Sequence, residues 1–402
     1  MPRISVAVSW LLALVILLPG HVIAGLPPNV FTDGGYLVSR DDRTILGHNE
    51  NRLLIPASTW KIATGLMALD QLGPDYRFRT KFYLAGDHFY IKGFGDPLLT
   101  SEEVKLITAS LAASGITEID DIVVDDSFFQ LERTKPDGSA ASLRSHDAAN
   151  GALVVNFNTA KIEVLNNGTV RSAEAQTPSL PVMQELAADL DPGIHRVNLS
   201  QNPQRSRRYC GELFKNLLTA SGIKVNGEVR SGVTPAGAEL VYRHHSSRKL
   251  AETVEAMLLY SNNFIANQLF LIAGARQRGE PATWDKGRRN MDDYLHQLGL
   301  DLKSFRVEEG SGLSRENRIT PGALQQVLER FRPYAELLPH WDDRLVKSGT
   351  LNRVYAYAGY FRGNSGLDPF VLILNQTANT RDRALDLMEK RWQHPSRTAG
   401  QQ

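Results

Sequence analysis

Hydrophobic positions early in the chain predict a hairpin followed by a helix. Two short apolar runs, at residues 36–38 and 44–46, flank a polar turn at residues 40–43, which is typical of a β-hairpin. The next stretch, LLIPASTWKIATGLMALDQLG at residues 53–73, has apolar positions close to helical spacing. Those positions are Ile62, Leu66, Met67, Leu69 and Leu72. Gly73-Pro74 ends the run, so a helix is expected to begin close to Ser58.

The middle of the chain, residues 78–245, alternates short strands and helices. FRTKFYL, DHFYIKG and ITEIDDIVVDD read as strands, and SEEVKLITASLAASG reads as a helix. The helix–strand unit recurs as ELFKNLLTASG followed by IKVNGEVR. The polar segments 131–150 and 167–207 are predicted to be loops.

From residue 246 the pattern becomes helical again. Four helices are expected, in SSRKLAETVEAMLLYS with Ser246 or Ser247 as N-cap, NNFIANQLFLIAGA, KGRRNMDDYLHQLG and TPGALQQVLERF with Thr320 as N-cap. Strands RLVKSGTL, VYAYAGYF and PFVLILN and a last helix, RDRALDLMEKRW, follow. Because the two ends share one character, we expect one domain, residues 25–77 and 246–402, interrupted by an inserted α+β domain at residues 78–245.

The N-terminus, MPRISVAVSWLLALVILLPGHVIAG, has the features of an export signal. Arg3 supplies a positive head, and the apolar run from Ile4 to Leu18 is short for a membrane span. Val22 and Ala24 place small residues before a cleavage site at Gly25, so residues 1–24 are predicted to be a signal peptide. An uncleaved anchor is the alternative, and both place the body outside the cytoplasm.

Composition excludes several classes of function. The net charge is +1 and the chain has no block rich in lysine and arginine, so nucleic-acid binding is not expected. The single cysteine, Cys210, cannot form an internal disulfide and is expected to be structural. His244 and His245 are adjacent in a polar run, where a solvated loop is favoured over a metal-ligand pair. No metal or cofactor is expected.

Ser58 and Lys61 have the spacing of a nucleophile and its base. Three residues apart at the head of a helix, they lie on the same face of its first turn. A lysine beside a buried stripe is pushed toward its neutral form, in which it can take a proton from a serine. The same spacing at Ser221–Lys224 and Ser246–Lys249 is explained by a helix end and a helix cap.

Two further short motifs complete the chemistry. Ser261 and Asn263 lie between two predicted helices, where a hydroxyl and an amide can point outward. Lys347-Ser348-Gly349-Thr350 lies on a predicted strand. There the cation of Lys347 would lower the pKa of Lys61 further, and the glycine would let a substrate backbone lie along the strand.

The ordered set S-x-x-K, S-x-N and K-[ST]-G resembles that of the penicillin-recognising serine acyl transferases. The spacing from Ser58 to Ser261 is 203 residues. That spacing, and the segments LIPASTWKIATGLMALDQLGPDYRFRT, GSGLSRENRITPGALQQVL and KSGTLNRVYAYAGYF, resemble the penicillin-binding protein 4 type of D-Ala-D-Ala carboxypeptidase/endopeptidase. The likeness covers most of the chain after the signal.

The resemblance implies a fold, a reaction and a set of roles. The fold is a mixed α/β transpeptidase-like domain, an antiparallel sheet with helices on both faces, with an α+β insertion. Ser58 is the acylated nucleophile, Lys61 its base, and Ser261 and Asn263 the proton relay and peptide holder. Three residues, Lys347, Ser348 and Thr350, bind a terminal carboxylate, and the backbone N–H groups of Ser58 and Thr350 form an oxyanion hole.

The resemblance also implies partners and a location. The substrates are peptidoglycan peptides, β-lactams are inhibitors, and no cofactor is required. The enzyme is exported to the periplasm, with at most a weak association with the membrane or wall. The balance between releasing terminal D-Ala and cutting cross-links stays open.

Three residues depart from the family pattern. Ser348 stands in place of Thr, Asn262 in place of an Asp whose charge would lie near the site, and Glu309 in place of the Asp of D-G-S-G.

A class A β-lactamase also needs a deacylating Glu after its second motif, but here Glu163-Val-Leu-Asn-Asn167 precedes Ser261. A penicillin-fold sensor or inactive wall protein is disfavoured because the nucleophile and both lysines are present.

Overall fold

A computed structural model describes residues 25–41, 43–132, 142, 144–199, 202–363 and 366–394. The predicted signal peptide, residues 1–24, and most of residues 133–143 lie outside the described residues. Within the described ranges, every helix is too short or too polar to cross a membrane.

The strands are β1 (Gly34–Arg40), β2 (Arg43–His48), β3 (Arg79–Ala85), β4 (His88–Gly93), β5 (Glu118–Ile119), β6 (Ile122–Asp125), β7 (Thr159–Val164), β8 (Val170–Ser172), β9 (Gly193–Asn198), β10 (Lys224–Val225), β11 (Val229–Ser231), β12 (Glu239–His245), β13 (Phe305–Arg306), β14 (Arg318–Ile319), β15 (His340–Trp341), β16 (Arg344–Leu351), β17 (Val354–Gly363) and β18 (Gly366–Leu374). The helices are α1 (Lys61–Leu72), α2 (Ser101–Ala113), α3 (Val182–Leu186), α4 (Pro203–Ala220), α5 (Leu250–Leu259), α6 (Asn263–Arg278), α7 (Trp284–Gln297), α8 (Pro321–Phe331) and α9 (Arg381–Gln393).

One antiparallel sheet joins the two ends of the chain, in the order β15-β16-β17-β18-β1-β2. Successive side chains of a strand point to opposite faces, and both faces of this sheet are buried. Phe370 and Leu372 contribute to a core with the last helix, α9, whereas Val371 and Ile373 contribute to a core with α1, α6 and α8. The predicted fold class, an antiparallel sheet with helices on both faces, is therefore confirmed.

The middle of the chain has a second hydrophobic core. A five-stranded sheet in the order β11-β6-β4-β3-β12 and a three-stranded sheet in the order β8-β7-β9 surround helices α2 and α4. The buried residues of this cluster lie between Phe82 and Ile223 and include Cys210. The proposed domain boundaries at 77/78 and 245/246 stay a prediction, with which this separate core is consistent.

The prediction of a loop over residues 167–207 is wrong. The segment contains β8, α3, β9 and the first turn of α4. Helix α4 begins at Pro203, with the Asn202 side chain accepting a hydrogen bond from Gln204 N at 2.9 Å. Its first turns present arginines to solvent, so the polar composition concealed an amphipathic helix whose apolar face begins only at Tyr209.

The strand predicted in ITEIDDIVVDD is broken in two at Asp120 and Asp121, and IKVNGEVR likewise forms the separate strands β10 and β11. Strand β5 pairs with β10, whereas β6 pairs with β4 and β11. The change of partner occurs at Asp121, whose buried carboxylate accepts a hydrogen bond from Glu228 N at 2.7 Å. Tertiary pairing therefore divides a run that looks continuous in the sequence.

Two predictions near residue 246 are also wrong. Helix α5 begins at Leu250 with Lys249 as N-cap residue, and the Glu252 carboxylate accepts from Lys249 N at 2.8 Å. Ser247 instead donates from N and Oγ to Glu103 on α2. His244 lies on β12, not in a solvated loop, and its Nε2 lies 2.6 Å from Glu103 Oε1. The Glu103 carboxylate on α2 therefore binds both Ser247 and His244.

Candidate active site

The predicted nucleophile, Ser58, lies in a 3₁₀ turn at Ala57–Trp60 that leads directly into α1. The turn is held from two sides. Gly312 has φ +78°, and a Cβ there would lie 2.0 Å from Ala57 O. On the other side, a Cβ on Gly349 of β16 would lie 3.0 Å from Ser58 N. Ala57 itself has φ +49°, an uncommon conformation for a residue with a side chain, which the close packing fixes.

Lys61 is fully buried and its Nζ lies 2.9 Å from Ser58 Oγ. The same nitrogen donates to Asn263 Oδ1 at 2.7 Å and to Ser311 O at 2.6 Å. Burial and then the nearby charge of Lys347 hold the pKa of Lys61 well below its ordinary value, while Glu309 opposes the shift. A neutral amine has two N–H donors and one lone pair. In that neutral form the two donors are satisfied by Asn263 and Ser311, which leaves the lone pair for the Ser58 hydroxyl, as a general base requires.

The second motif meets the third across the site. Ser261 follows α5 with φ +51°, and its Oγ lies 3.0 Å from Lys347 Nζ. The Lys347 ammonium also donates to Ser348 O at 2.9 Å. Burial, followed by the charge of Arg381, lowers the pKa of Lys347 to about 8. Lys347 therefore keeps its proton at neutral pH and can both bind an anion and supply a proton through Ser261.

The side chains of Asn262 and Asn263 have different hydrogen-bond partners. The Asn263 side chain accepts from Lys61 and donates from Nδ2 to His146 O at 3.1 Å. The Asn262 side chain is the N-cap of α6 and accepts from Ile265 N at 3.0 Å. The expectation that Asn262 removes a charge near the site stays a prediction, and the structure adds that this side chain caps the start of α6.

Strand β16 presents the K-S-G-T residues beside the nucleophile. Gly349 is buried against the turn that carries Ser58, whereas the side chain of Thr350 is exposed. Ser348 is half-buried and its carbonyl accepts from Lys347. A guanidinium that the sequence analysis did not select, that of Arg381, donates to Gly349 O at 2.9 Å and to Thr350 Oγ1 at 2.6 Å. The predicted site residues thus lie around one centre.

A buried loop supports Lys61 from behind. Glu309 is fully buried, and its carboxylate accepts from Ser311 N at 2.7 Å, from Ser314 N at 3.2 Å and from Asn317 Nδ2 at 2.7 Å. These bonds fix the carbonyl of Ser311 that accepts from Lys61. The segment was selected by its resemblance, but the role of Glu309 was not foreseen. Only the compact turn-forming composition of GSGLS signals it in the sequence.

The middle part of the chain, residues 78–245, also reaches the site. His146 O, in a 3₁₀ turn at Ser145–Asp147, receives the Asn263 amide. Asn150 donates to Phe264 O and to Gln268 Oε1 on α6, at 2.9 and 3.0 Å. Backbone contacts of this kind carry no residue-type signal, so the sequence could not reveal them.

One group in the described ranges brings three potential metal ligands together. Ligand atoms of His88, Asp120 and Asp121 lie within 4.8 Å of one another. Asp121 already accepts from Glu228 N and lies 2.7 Å from Arg230 Nε. The arginine provides the counter-charge, so the group is explained as an ion-pair cluster.

The fold and the Ser58–Lys61–Lys347 arrangement define a serine acyl-transfer peptidase of the penicillin-recognising class. The model of the D-Ala-D-Ala carboxypeptidase 3 (S13) family matches residues 36–189 and 185–345. The chain belongs to this family of serine-type peptidases, and the resemblance found in the sequence is confirmed.

Curated relatives agree over most of the chain. A D-alanyl-D-alanine carboxypeptidase of Actinomadura sp. is 26% identical over 406 residues, which cover 80% of this chain and 73% of the relative. The D-alanyl-D-alanine carboxypeptidase DacB of Haemophilus influenzae is 25% identical, with 81% of each chain covered.

Solved structures show the same fold. Penicillin-binding protein 4 (dacB) of Haemophilus influenzae matches with a TM-score of 0.75 at 21% identity, over 89% of this chain and 96% of that one. A predatory endopeptidase of Bdellovibrio bacteriovorus matches with a TM-score of 0.54 at 15% identity, over 89% of this chain and 91% of that one.

Proposed function

We propose that the protein is a D-Ala-D-Ala carboxypeptidase that acts on peptidoglycan stem peptides through an acyl-enzyme on Ser58. The observation that carries the proposal is the fully buried Lys61 amine, 2.9 Å from Ser58 Oγ and with a lowered pKa. In the described part of the chain, this nitrogen bonds to uncharged groups of Ser58, Asn263 and Ser311. Keeping a buried amine charged among such groups is costly, so burial favours the neutral amine that can act as a base. Family membership supplies the reaction class.

Acylation follows from this geometry. Ser58 Oγ attacks the carbonyl carbon of the penultimate D-Ala, and its proton moves to Lys61 Nζ. The tetrahedral oxyanion is held by the backbone N–H groups of Ser58 and Thr350. The C–N bond then breaks, and the leaving amine receives a proton through Ser261, which contacts Lys347 Nζ at 3.0 Å. Terminal D-Ala departs and an ester joins Ser58 to the peptide.

In deacylation, water is the nucleophile and Ser58 is the leaving group. The proton on Lys61 restores the one that Lys347 gave to the leaving amine, so both lysines return to their starting states. Neutral Lys61 then takes a proton from a water molecule that attacks the ester carbonyl. The same two N–H groups hold the second oxyanion, and Ser58 regains its proton as the shortened peptide leaves. In β-lactams the departing amine stays tethered after ring opening, so we propose that they form a long-lived adduct and act as inhibitors.

The terminal carboxylate of the substrate is assigned to strand β16. Lys347 offers an ammonium, and Ser348 and Thr350 offer hydroxyl groups, on the strand beside Ser58. A D-Ala-D-Ala terminus carries its carboxylate one residue beyond the carbonyl that is attacked. That spacing suits a cation near, but not at, the oxyanion hole.

Cleavage of cross-links is a second candidate activity. It breaks an amide whose carbonyl also belongs to D-Ala, so the acylation half would be the same. Only the leaving amine differs, because it belongs to the diamino acid of a second peptide. The endopeptidase title of the Bdellovibrio bacteriovorus structure supports testing this activity beside D-Ala release.

The location and associations are proposed from the sequence. We propose export by the signal at residues 1–24, action in the periplasm, and at most a weak association with the membrane or the wall. Fractionation of cells that produce the full chain, with N-terminal sequencing of the mature protein, tests this. Gly25 as the first residue is the expected result, and an intact Met1 in the membrane fraction would indicate the uncleaved anchor.

The first experiment is intact mass after incubation with benzylpenicillin. The unmodified protein and Ser58→Ala are compared with Ser221→Ala, a matched control because Ser221 also precedes a lysine by three residues but ends helix α4. We expect one stable adduct on the unmodified protein and on Ser221→Ala, and none on Ser58→Ala. Absence of an adduct on all three would favour a binding or structural protein of this fold. Rapid turnover of nitrocefin would favour a β-lactamase.

The activity itself is measured with purified substrates. Release of D-Ala from a pentapeptide and splitting of a cross-linked dimer are followed by mass spectrometry. We expect D-Ala release that depends on Ser58. The ratio of the two rates then gives the carboxypeptidase and endopeptidase balance.

A further inference from the structure

Arg381 occupies a position that is electrostatically unfavourable for a cation. It is the first residue of α9, and the N-terminus of a helix carries a partial positive charge, which favours acidic rather than basic side chains. Its guanidinium turns toward β16 and lies 4.6 Å from the centre of the Tyr357 ring. Helix stability does not account for this placement, whereas the contacts of the guanidinium with the strand do.

The guanidinium fixes which way the Thr350 hydroxyl can donate. Arg381 Nη1 donates to Thr350 Oγ1 at 2.6 Å and to Gly349 O at 2.9 Å. Because arginine has no acceptor, the Thr350 oxygen must accept this bond. Its own hydrogen is therefore free to donate to a substrate. The hydroxyl is prepared to meet an acceptor-only group, such as a carboxylate.

The same guanidinium adds charge to this end of the site. The charge of Arg381 contributes to the lowered pKa of Lys347, so the two cations are close enough to repel each other. The carboxylate of Asp382 lies 3.8 Å from Arg381 Nε, but it is mostly exposed and accepts from Tyr357 OH at 2.7 Å. The Nε of Arg381 is buried without a hydrogen-bond partner. An anionic ligand would relieve the repulsion between Lys347 and Arg381.

We propose that Arg381 is a positioning residue that makes the site selective for leaving groups carrying a free carboxylate, by orienting the Thr350 hydroxyl and adding a second cation beside Lys347. The inference rests on the proposed function, in which this strand receives the carboxylate of the departing amino acid. Substrates whose departing residue is amidated would lose both contributions. The site would therefore discriminate between acid and amide forms of the same peptide.

The test compares Arg381→Gln with the unmodified protein on two peptides that differ only in a terminal carboxylate or carboxamide. We expect kcat/KM for the acid to fall about 10- to 100-fold, which corresponds to the loss of hydrogen bonds to a charged group. The carboxamide rate should change less than about twofold. Arg383→Gln is the matched control, because Arg383 is exposed on the same helix, and it should leave both rates unchanged.

A second pair of probes separates this inference from the proposed function. Acylation of Ser58 by benzylpenicillin and by its uncharged methyl ester reports the same preference without peptide cleavage. If the unmodified protein cleaves neither peptide, the proposed function fails, yet the acid-to-ester ratio still decides the role of Arg381. Equal losses on acid and ester would mean that Arg381 only holds strand β16, and would overturn the proposal.

Arg381→Lys is a control for a folding defect in Arg381→Gln. It keeps the charge but replaces the planar fork with a single ammonium. An acid preference between those of the unmodified protein and Arg381→Gln is expected. Thermal unfolding of all variants is measured alongside. An unchanged preference in Arg381→Lys and Arg381→Gln alike would refute the inference whatever their melting temperatures.

Discussion

Replacing Gly349 with alanine would place a methyl group against the turn that carries the nucleophile. The added Cβ would lie 2.8 Å from Pro56 O, 3.0 Å from Ser58 N and 3.1 Å from Ala57 Cβ. Gly349 has no positive φ, so alanine fits the strand backbone itself. The perturbation is therefore a local push on the Ser58 turn from β16.

The size of the effect follows from these distances. Ordinary van der Waals contact begins near 3.4 Å, so the contact to Pro56 O is short by about 0.6 Å. Overpacking of this kind costs roughly 1–3 kcal/mol of stability. A catalytic group tolerates about 0.5 Å of displacement, and the methyl group would also crowd the Ser58 N–H that is proposed to hold the oxyanion. We expect acylation to slow roughly 10- to 100-fold.

The assay is the second-order rate of benzylpenicillin acylation, followed by intact mass over time, beside urea unfolding of the same preparations. Gly237→Ala is the control, since a Cβ at Gly237 meets no atom within 4 Å. It should acylate and unfold like the unmodified protein. A Gly349→Ala variant that acylates at the unmodified rate while losing stability would show that β16 does not set the position of Ser58, and would refute this reasoning.

Three further predictions concern the charges around the site. The value of kcat/KM should rise with pH as Lys61 loses its proton and fall as the pH passes about 8, where Lys347 becomes neutral. Arg381→Gln should move the alkaline limb of this profile to higher pH, because the charge of Arg381 lowers the pKa of Lys347. An unmoved limb would contradict this effect of Arg381 on Lys347. Asn262→Asp should leave the acylation rate within about twofold, and the stability unchanged or raised by up to about 1 kcal/mol, because Asn and Asp cap helices equally well and an acid suits the helix N-terminus. Asn262→Ala should lose about 1 kcal/mol of stability. A large change in the acylation rate of Asn262→Asp would instead place this side chain in the site. Glu309→Gln should lose at least one hydrogen bond to a charged acceptor, which is roughly 1.5–3 kcal/mol of stability in urea unfolding. It should also shift the acid limb of the kcat/KM profile to lower pH, because Glu309 raises the pKa of Lys61. Glu309→Asp keeps the charge and should leave that limb in place.

Much of the local structure could be predicted from the chain. The helix after Ser58, the hairpin of β1 and β2, and Thr320 as the cap of α8 are determined by neighbouring residues. Apolar periodicity and capping act over a few positions, so they are visible in one sequence. The loop assigned to residues 167–207 failed because the helix α4 within it begins with a polar stretch and depends on burial of a distant face.

The candidate site shows the same division. The sequence selected Ser58, Lys61, Ser261, Asn263 and the Lys347–Thr350 strand from short motifs, because nucleophile, base and anion binder must be of particular residue types. It did not reveal Glu309 as the anchor of the loop behind Lys61, the carbonyl of His146 or the guanidinium of Arg381.

By itself, the sequence determined the class of enzyme and selected the side chains that we propose to react, since those depend on residue type and short spacing. Only the tertiary structure decided how they are held. Lys61 meets Ser311 O across 250 positions of chain, and Asn263 meets His146 O across 117. Such contacts involve backbone atoms that every residue possesses, so no residue type marks them. They exist because two cores and one sheet bring distant segments together.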